Sequence, residues 1–270
     1  MSKFDGLILF SDLDGTLMRD DQTVSKENID AVEYFMSQGG KFTVMTGRGV
    51  KGMSRVLDFV TPNVPYIGCL NGSAIYDFVN QNIVWNMSID PYYIQIIKAI
   101  MSEVPDCGVE ITTADEIYFV YENKYTDLHM QIEYLPHIKC AIDEHTDKAV
   151  KIVFAHCPEK LVQIASLIDK IENKDIFDYI RSHENYYELI PKNASKGNLL
   201  KRICDLLGID TKNAFAIGDN ENDVSMLRLA SLGFAVENAS ENAKRAADFV
   251  VSCNNYAPLA DVVNILDKRF

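Results

Sequence analysis

Histidine is scarce in this chain. The five residues, His129, His137, His145, His156 and His183, form no i, i+4 pair and no cluster with carboxylates. That removes the usual ligand pattern of a zinc site and leaves structural or surface roles. The six cysteines, Cys69, Cys107, Cys140, Cys157, Cys204 and Cys253, are scattered and include no C-x-x-C pair. They read as reduced, mostly buried thiols rather than a disulfide framework. No apolar run approaches the ~20 residues that a membrane helix needs. The opening MSKFDG lacks the apolar stretch of a secretion signal, so the expectation is a cytoplasmic protein with no membrane partner. Positive charge is also in short supply: 26 Lys and Arg stand against 39 Asp and Glu, a net charge of -13. A surface so acidic repels phosphate backbones, which excludes nucleic acid as a main partner. Small anionic substrates stay open, because a bound metal can make one site locally positive. Repeats, low-complexity tracts and long linkers are absent, and 47% hydrophobic with 24% charged residues is ordinary for a globular chain. The 270 residues allow one large domain or two modest ones; nothing in them reads out an oligomeric state.

What is present begins with LILFSDLDGTL, Leu7 to Leu17. An apolar run, read as a buried strand, leads into Asp12, and Asp14 follows two positions later. Strand side chains alternate, so two residues apart face the same side. Two carboxylates so placed repel unless something positive sits between them.

The first third continues in a strand–helix rhythm. Ser25 caps a helix carrying Ile29, Val32, Phe35 and Met36, which Gly39-Gly40 ends. KFTVMTG is a second strand, a helix runs through Val56, Leu57 and Val60, and VPYIGCLNG supplies a third strand. The last third repeats the rhythm. A helix from Lys196 stops at Gly208, AFAIGD is a strand ending in an acid, and LGFAV and FVV are further strands. Helices follow through Val224 and Leu227, near Ala243 to Ala247, and through Leu259 to Leu266. Alternating strands and helices predict a parallel sheet covered by helices. The middle differs. VEITTADEIYFVYEN predicts two strands around an Ala114-Asp115-Glu116 turn, with helices near 91–102, 123–134 and 158–172 and strands at VKIVFA, FDYIRS and YYELI. That is an α+β segment with its own antiparallel sheet, inserted into an α/β domain.

Four short stretches fall at strand ends or helix starts: DLDGT, TGR (Thr46 to Arg48), SKG (Ser195 to Gly197) and GDNEND (Gly218 to Asp223). In open parallel sheets the carboxyl ends of strands line the ligand crevice, so these distant segments converge there. Asp12, Asp14, Asp219 and Asp223 offer oxygen ligands to a hard cation, and so sparse a carboxylate set suits Mg2+ that also holds waters and a phosphate. That cation is what lets the two acids of the first strand coexist. Thr46 offers a hydroxyl, Gly47 a backbone N–H and Lys196 a point charge for phosphate oxygens; Arg48 completes this group of phosphate- or substrate-binding candidates. A carboxylate can attack phosphorus and form an aspartyl phosphate, while a second carboxyl protonates the leaving group and then activates water. Asp12 and Asp14 fit those two roles. Taken singly, D-x-D also suits a solvated turn, TGR a plain strand-to-helix turn, SKG a helix cap, and GDNEND a helix N-terminus favouring acids. Their joint order at strand ends is what ordinary structure does not explain.

These residues make the chain resemble the haloacid dehalogenase-like phosphohydrolase superfamily, and within it the Cof-like subgroup, which inserts an α/β cap between its second and third motifs. DLDGTL, TGR, SKG and GDNENDVSML match the four motifs in order over essentially the whole chain. The resemblance implies Asp12 as nucleophile and Asp14 as general acid/base, with Thr46 and Lys196 on the phosphoryl group. It implies Mg2+ on Asp12, the backbone carbonyl of Asp14 and Asp219, with Asp223 in support. It also implies Asn222 near the phosphate or Lys196, and Asn71-Gly72 lining the same crevice. One departure is Glu237, which precedes Asn238 where the subgroup often carries glycine; pointing inward, it would disfavour polyphosphorylated substrates.

The expectation is therefore a doubly wound, Rossmann-like parallel-sheet core over 1–82 and 191–270, and a mobile α+β cap over 83–190 that chooses the leaving group. The expected activity is Mg2+-dependent hydrolysis of small phosphomonoesters: sugar phosphates, flavin mononucleotide, pyridoxal phosphate or nucleotides. The alternatives are a phosphosugar mutase that uses the same aspartyl phosphate, and a low-turnover regulator that binds a phosphorylated ligand.

Overall fold

The computed structural model describes residues 2–50, 57–113, 116–133, 137–145 and 148–270. The helix through Val56 and the Ala114-Asp115 turn fall outside the described residues. The chain divides into two compact units. One is built from Met1–Gly47, Met53–Val84 and Ser195–Phe270, the other from Arg48–Gly52 and Trp85–Ala194.

The first unit carries a five-stranded parallel sheet. Its strands are β1 (Ile8–Ser11), β2 (Lys41–Val44), β12 (Ala214–Gly218), β13 (Leu232–Val236) and β14 (Phe249–Val251), in the order β14-β13-β12-β1-β2. All four residues of β1 are buried, as a central strand covered on both faces requires. Strand β1 pairs with β2 on one side and β12 on the other, Ser11 standing opposite both Val44 and Ile217. The chain thus winds outward from β1 in both directions, which makes the carboxyl end of β1 the switch point where such sheets form a crevice. Helix α1 (Lys26–Ser37) starts at Ser25, whose hydroxyl accepts from Asn28 N. The buried Asn28 Oδ1 in turn accepts from Leu259 N of the C-terminal helix α8 (Pro258–Arg269), joining the two helices.

One strand departs from the sequence reading. VPYIGCLNG does form β3 (Tyr66–Cys69), but β3 pairs antiparallel with β4 (Ala74–Asp77), and β5 (Asn82–Asn86) completes a three-stranded sheet. It meets the parallel sheet through a Met45–Gly68 bridge and a hydrogen bond from the Thr43 hydroxyl to Tyr66 O. Past Val44 the chain leaves β1, with Met45 N bonding to Ser11 O and Thr46 N to Gly68 O. The β4–β5 hairpin itself went unread, although Asp77 closes its turn by accepting from the N–H groups of Val79 and Asn80.

The second unit has a six-stranded sheet, ordered β10-β11-β9-β6-β7-β8, from β6 (Gly108–Thr113), β7 (Ile117–Tyr121), β8 (Ile138–Lys139), β9 (Ala149–Ala155), β10 (Phe177–His183) and β11 (Tyr186–Pro191). All pairs are antiparallel except β7–β8. Val109, Ile111, Ile152, Phe154 and Leu189 form a core with Ile96, Ile97 and Ile100 of α2 (Tyr93–Glu103) and Leu161 and Ile164 of α4 (Pro158–Ile168). Helix α3 (Lys124–Glu133) contributes Met130, packed on Ile117 and Phe119. The α/β class with an added antiparallel sheet is as read from the sequence. All six cysteines are thiols outside any disulfide. No helix among the described residues is long and apolar enough to cross a membrane.

Candidate active site

The acids gather at the carboxyl edge of the parallel sheet, all within the first unit. Asp12 follows the last residue of β1, and its N–H donates to Ile217 O at 3.0 Å, so the neighbouring strand holds the position. Its carboxylate is buried. Lys196 opens helix α5 (Lys196–Leu207), which Ser195 caps by accepting from Asn198 N. The Lys196 ammonium, fully buried, reaches both Asp12 Oδ1 and Asp223 Oδ1 at 2.5 Å. The other oxygen of Asp223 accepts from Asp219 N at 2.9 Å and Asn220 N at 3.0 Å, tying the turn after β12. Asp219 follows β12 and accepts from the Thr16 hydroxyl at 3.1 Å.

Asp12, Asp219 and Asp223 place oxygens within 4.8 Å of one another. Burial pushes the Asp12 carboxyl well above its ordinary range, against the pull of Lys196; Asp223 and Asp219 add to the rise. Burial, then the Asp223 charge, raises Asp219 to about 6. Burial alone would lower Lys196, but Asp12 and Asp223 outweigh it and hold the ammonium charged above its ordinary range. Three carboxylates against one ammonium leave an excess of negative charge in a water-poor place, which is costly unless compensated. Every donor is oxygen. That set fits a hard divalent cation, and the cluster is the place that could hold one.

The two acids of the first motif differ in burial: Asp12 is buried and Asp14 is exposed. Strand β1 ends at Ser11, so period-two alternation stops before either acid. The chain turns at Gly15, whose φ of +78° needs glycine, and a Cβ there would lie 2.7 Å from Asp219 Oδ2. Asp14 pairs through its backbone with Met18 across this turn.

Thr46 is buried, and its carbonyl accepts from Asn71 N at 3.2 Å. Asn71 takes a positive φ of 55°, and its Oδ1 accepts from Asn222 Nδ2 at 2.9 Å. A Cβ on Gly47 would lie 2.8 Å from the same Asn71 oxygen. Gly72, at φ +103°, sits against the Ser195 backbone, where a Cβ would meet atoms at 2.4 Å. The 70–72 turn therefore braces the start of the helix that delivers Lys196. Asn222 Oδ1 is buried without a partner among the described residues. The structure thus gathers Asp12, Lys196, Asp219 and Asp223 by direct contact, and Thr46, Gly47, Asn71 and Asn222 by a second set of contacts. Arg48 is buried and belongs to the second unit. Glu237 is exposed.

Sequence reasoning passed over Thr16, Asn238 and Asn254. Asn238 Nδ2 donates to Gly15 O at 2.8 Å, and Asn254 Nδ2 to Met18 O at 3.1 Å. Thr16 was readable from DLDGT; the asparagines carry no local signal. Polar side chains of the middle segment engage one another within their own unit. His129 Nδ1 lies 2.6 Å from Glu110 Oε2, Glu122 accepts from Lys139, Arg181 donates to Glu184 O, and Tyr187 stacks on Tyr179. Tyr125 faces the ring of His156 at 5.6 Å.

An open parallel sheet with an oxygen-only acidic cluster and a buried lysine at its switch point defines an α/β protein suited to a cation and an anionic ligand. The chain belongs to the haloacid dehalogenase-like hydrolase family, which matches residues 9–263. It is similar to YxeH of Bacillus subtilis, 28% identical and covering 94% of this chain and 96% of that protein. It is also similar to YwtE of the same organism, named a 5-amino-6-(5-phospho-D-ribitylamino)uracil phosphatase, at 25% identity over 90% and 92% of the two chains. Among solved structures, the subclass IIB sugar phosphatase BT4131 shares the fold, with a TM-score of 0.82 at 19% identity over 96% and 98% of the chains.

Proposed function

We propose that the protein is a Mg2+-dependent phosphatase that hydrolyses small phosphomonoesters through an aspartyl phosphate on Asp12. The observation that carries this reading is the buried Lys196 bridging Asp12 and Asp223, with Asp219 beside them. Asp12, Asp219 and Asp223, with the Asp14 carbonyl, would hold Mg2+, which when bound screens the carboxylates and polarises the phosphoryl oxygens.

Asp12 attacks phosphorus with a carboxylate oxygen, and the bond from phosphorus to the ester oxygen breaks. Asp14, exposed beside the buried nucleophile, gives its proton to the departing alkoxide. The ammonium of Lys196 and the Thr46 hydroxyl are the groups for the equatorial oxygens, where charge accumulates. In the second half Asp14 takes a proton from water, the oxygen of that water bonds to phosphorus, and the bond to Asp12 breaks. Inorganic phosphate leaves and Asp12 is regenerated. Water as acceptor follows the hydrolase family over the mutase alternative.

Residues 83–190 select the leaving group in this reading. The name of YwtE, a relative over nearly the full length, favours phosphate on a polyol or sugar carbon. The test is phosphate release from a panel of sugar, polyol, flavin, pyridoxal and nucleotide monophosphates, with Mg2+ and with chelator, beside Asp12→Asn. Release that needs Mg2+ and falls to background in Asp12→Asn is expected. Wild-type rates in that variant would overturn the nucleophile assignment.

A further inference from the structure

The loop that presents Asp14 is tied down from the far side of the sheet. Asn238 follows β13, and Asn254 and Asn255 follow β14; in the sheet order both loops must reach past β12 to touch the loop after β1. Asn238 Nδ2 donates to Gly15 O at 2.8 Å, on the Gly15–Thr16 peptide one residue beyond Asp14. Its Oδ1 accepts from Asn254 N at 2.9 Å, so one side chain joins the two loops. Asn254 is buried, and its Nδ2 donates to Met18 O at 3.1 Å and to Asp20 Oδ1 at 2.9 Å. Asn255 Nδ2 donates to Asp20 Oδ2, and its Oδ1 accepts from Asp20 N at 3.2 Å. Met18, the second anchored residue, is also the one that bridges to Asp14 through its backbone.

Resting on the phosphatase reading above, we propose that Asn238 and Asn254 are positioning residues that hold Asp14 at the leaving-group oxygen. The buried nucleophile does not need them. Asp12 is fixed by Ile217 and Lys196, which belong to other elements. Asp14 is itself exposed although Leu13, Thr16 and Leu17 beside it are buried, and a general acid works only within hydrogen-bond reach of the oxygen it protonates. Displacing such a group by an ångström costs about 10²-fold in rate. An amide side chain is well matched to this role. With a donor and an acceptor on one short stem, it satisfies a carbonyl and an N–H at once without adding charge beside the acids.

The test compares an alkyl phosphate, whose leaving alkoxide needs a proton, with p-nitrophenyl phosphate, whose nitrophenolate departs without one. The quantity is kcat/KM, which reports only steps up to formation of the aspartyl phosphate. Asn254→Ala and Asn238→Ala should each lower kcat/KM for the alkyl ester by about 10²-fold and for the aryl ester by less than about tenfold. Equal losses on both esters would overturn the proposal, because a merely structural role harms both alike. Unchanged rates on both would overturn it as well. Asn238 is exposed, so its variant carries the test should Asn254→Ala fail to fold. Wild-type protein that releases phosphate from neither ester would overturn the phosphatase reading and this inference with it.

Discussion

Methionine in place of Lys196 removes the ammonium while keeping most of the aliphatic stem, so little cavity is left. What remains is Asp12, Asp219 and Asp223 clustered in a buried place with the bridging charge gone. Removing one partner of a buried ion pair costs about 3–5 kcal/mol, chiefly the cost of the charge left behind. A domain of this size shifts by roughly 2–4 °C for each kcal/mol, so the variant should melt about 6–20 °C below wild type in chelator. Protonating one carboxylate relieves the repulsion. Burial already raises Asp12 and Asp219 above their ordinary range, so with the ammonium gone the folded state binds protons more readily than the unfolded one, and the deficit shrinks as pH falls. Mg2+ supplies positive charge by another route, so it should stabilise the variant more than the wild type; a ligand at 100 times its Kd contributes about 2.7 kcal/mol. The assay is thermal unfolding at several pH values, with chelator and with Mg2+. A variant that melts within about 2 °C of wild type in chelator would refute the reasoning. Adding Asp223→Asn should restore part of the loss, because one surplus charge goes with it.

Two further outcomes follow from packing. Gly72→Ala puts a Cβ against the Ser195 backbone at a φ of +103°. It should cost at least about 2 kcal/mol in urea unfolding and disturb the start of α5 enough to lower phosphate release. Ile97→Ala, in the core of the second unit, should cost about 2–5 kcal/mol, and hydrogen exchange should show it in α2 and β6 while the parallel sheet keeps its protection.

The legible parts of the chain were those where one local pattern decides. Strand β1 is apolar because a central parallel strand is covered on both faces, and Ser195 and Gly208 bound α5 through ordinary capping chemistry. The order of DLDGT, TGR, SKG and GDNEND located the acidic cluster. Strand alternation does not account for the placing of Asp12 and Asp14, because β1 has already ended at Ser11. The partner of β3 was out of reach for a related reason. An apolar run states that a strand is buried but not which neighbour it takes, and the turn at Leu70–Gly72 brings β4 back along β3. Lys196 was read as a ligand for phosphate; its role as counter-charge to Asp12 and Asp223 needed the distances. Asn238 and Asn254 were invisible because each acts on a carbonyl more than 200 residues away, and carbonyls leave no trace in a sequence.

The interrupted course of the first unit has a consequence for how the protein is made. Strand β1 has β12 as a neighbour, and Asp12 lies 184 positions ahead of Lys196, whereas the second unit, Arg48–Gly52 apart, lies in the one stretch Trp85–Ala194. On a chain emerging N-terminus first, the inserted sheet has all its partners in hand while β1 still lacks the strand that flanks it. The acids of the first motif remain separated from their lysine until α5 and β12 emerge. The cation cluster is therefore one of the last features that synthesis completes, and a nascent chain cut short of Asp219 carries the nucleophile without the site.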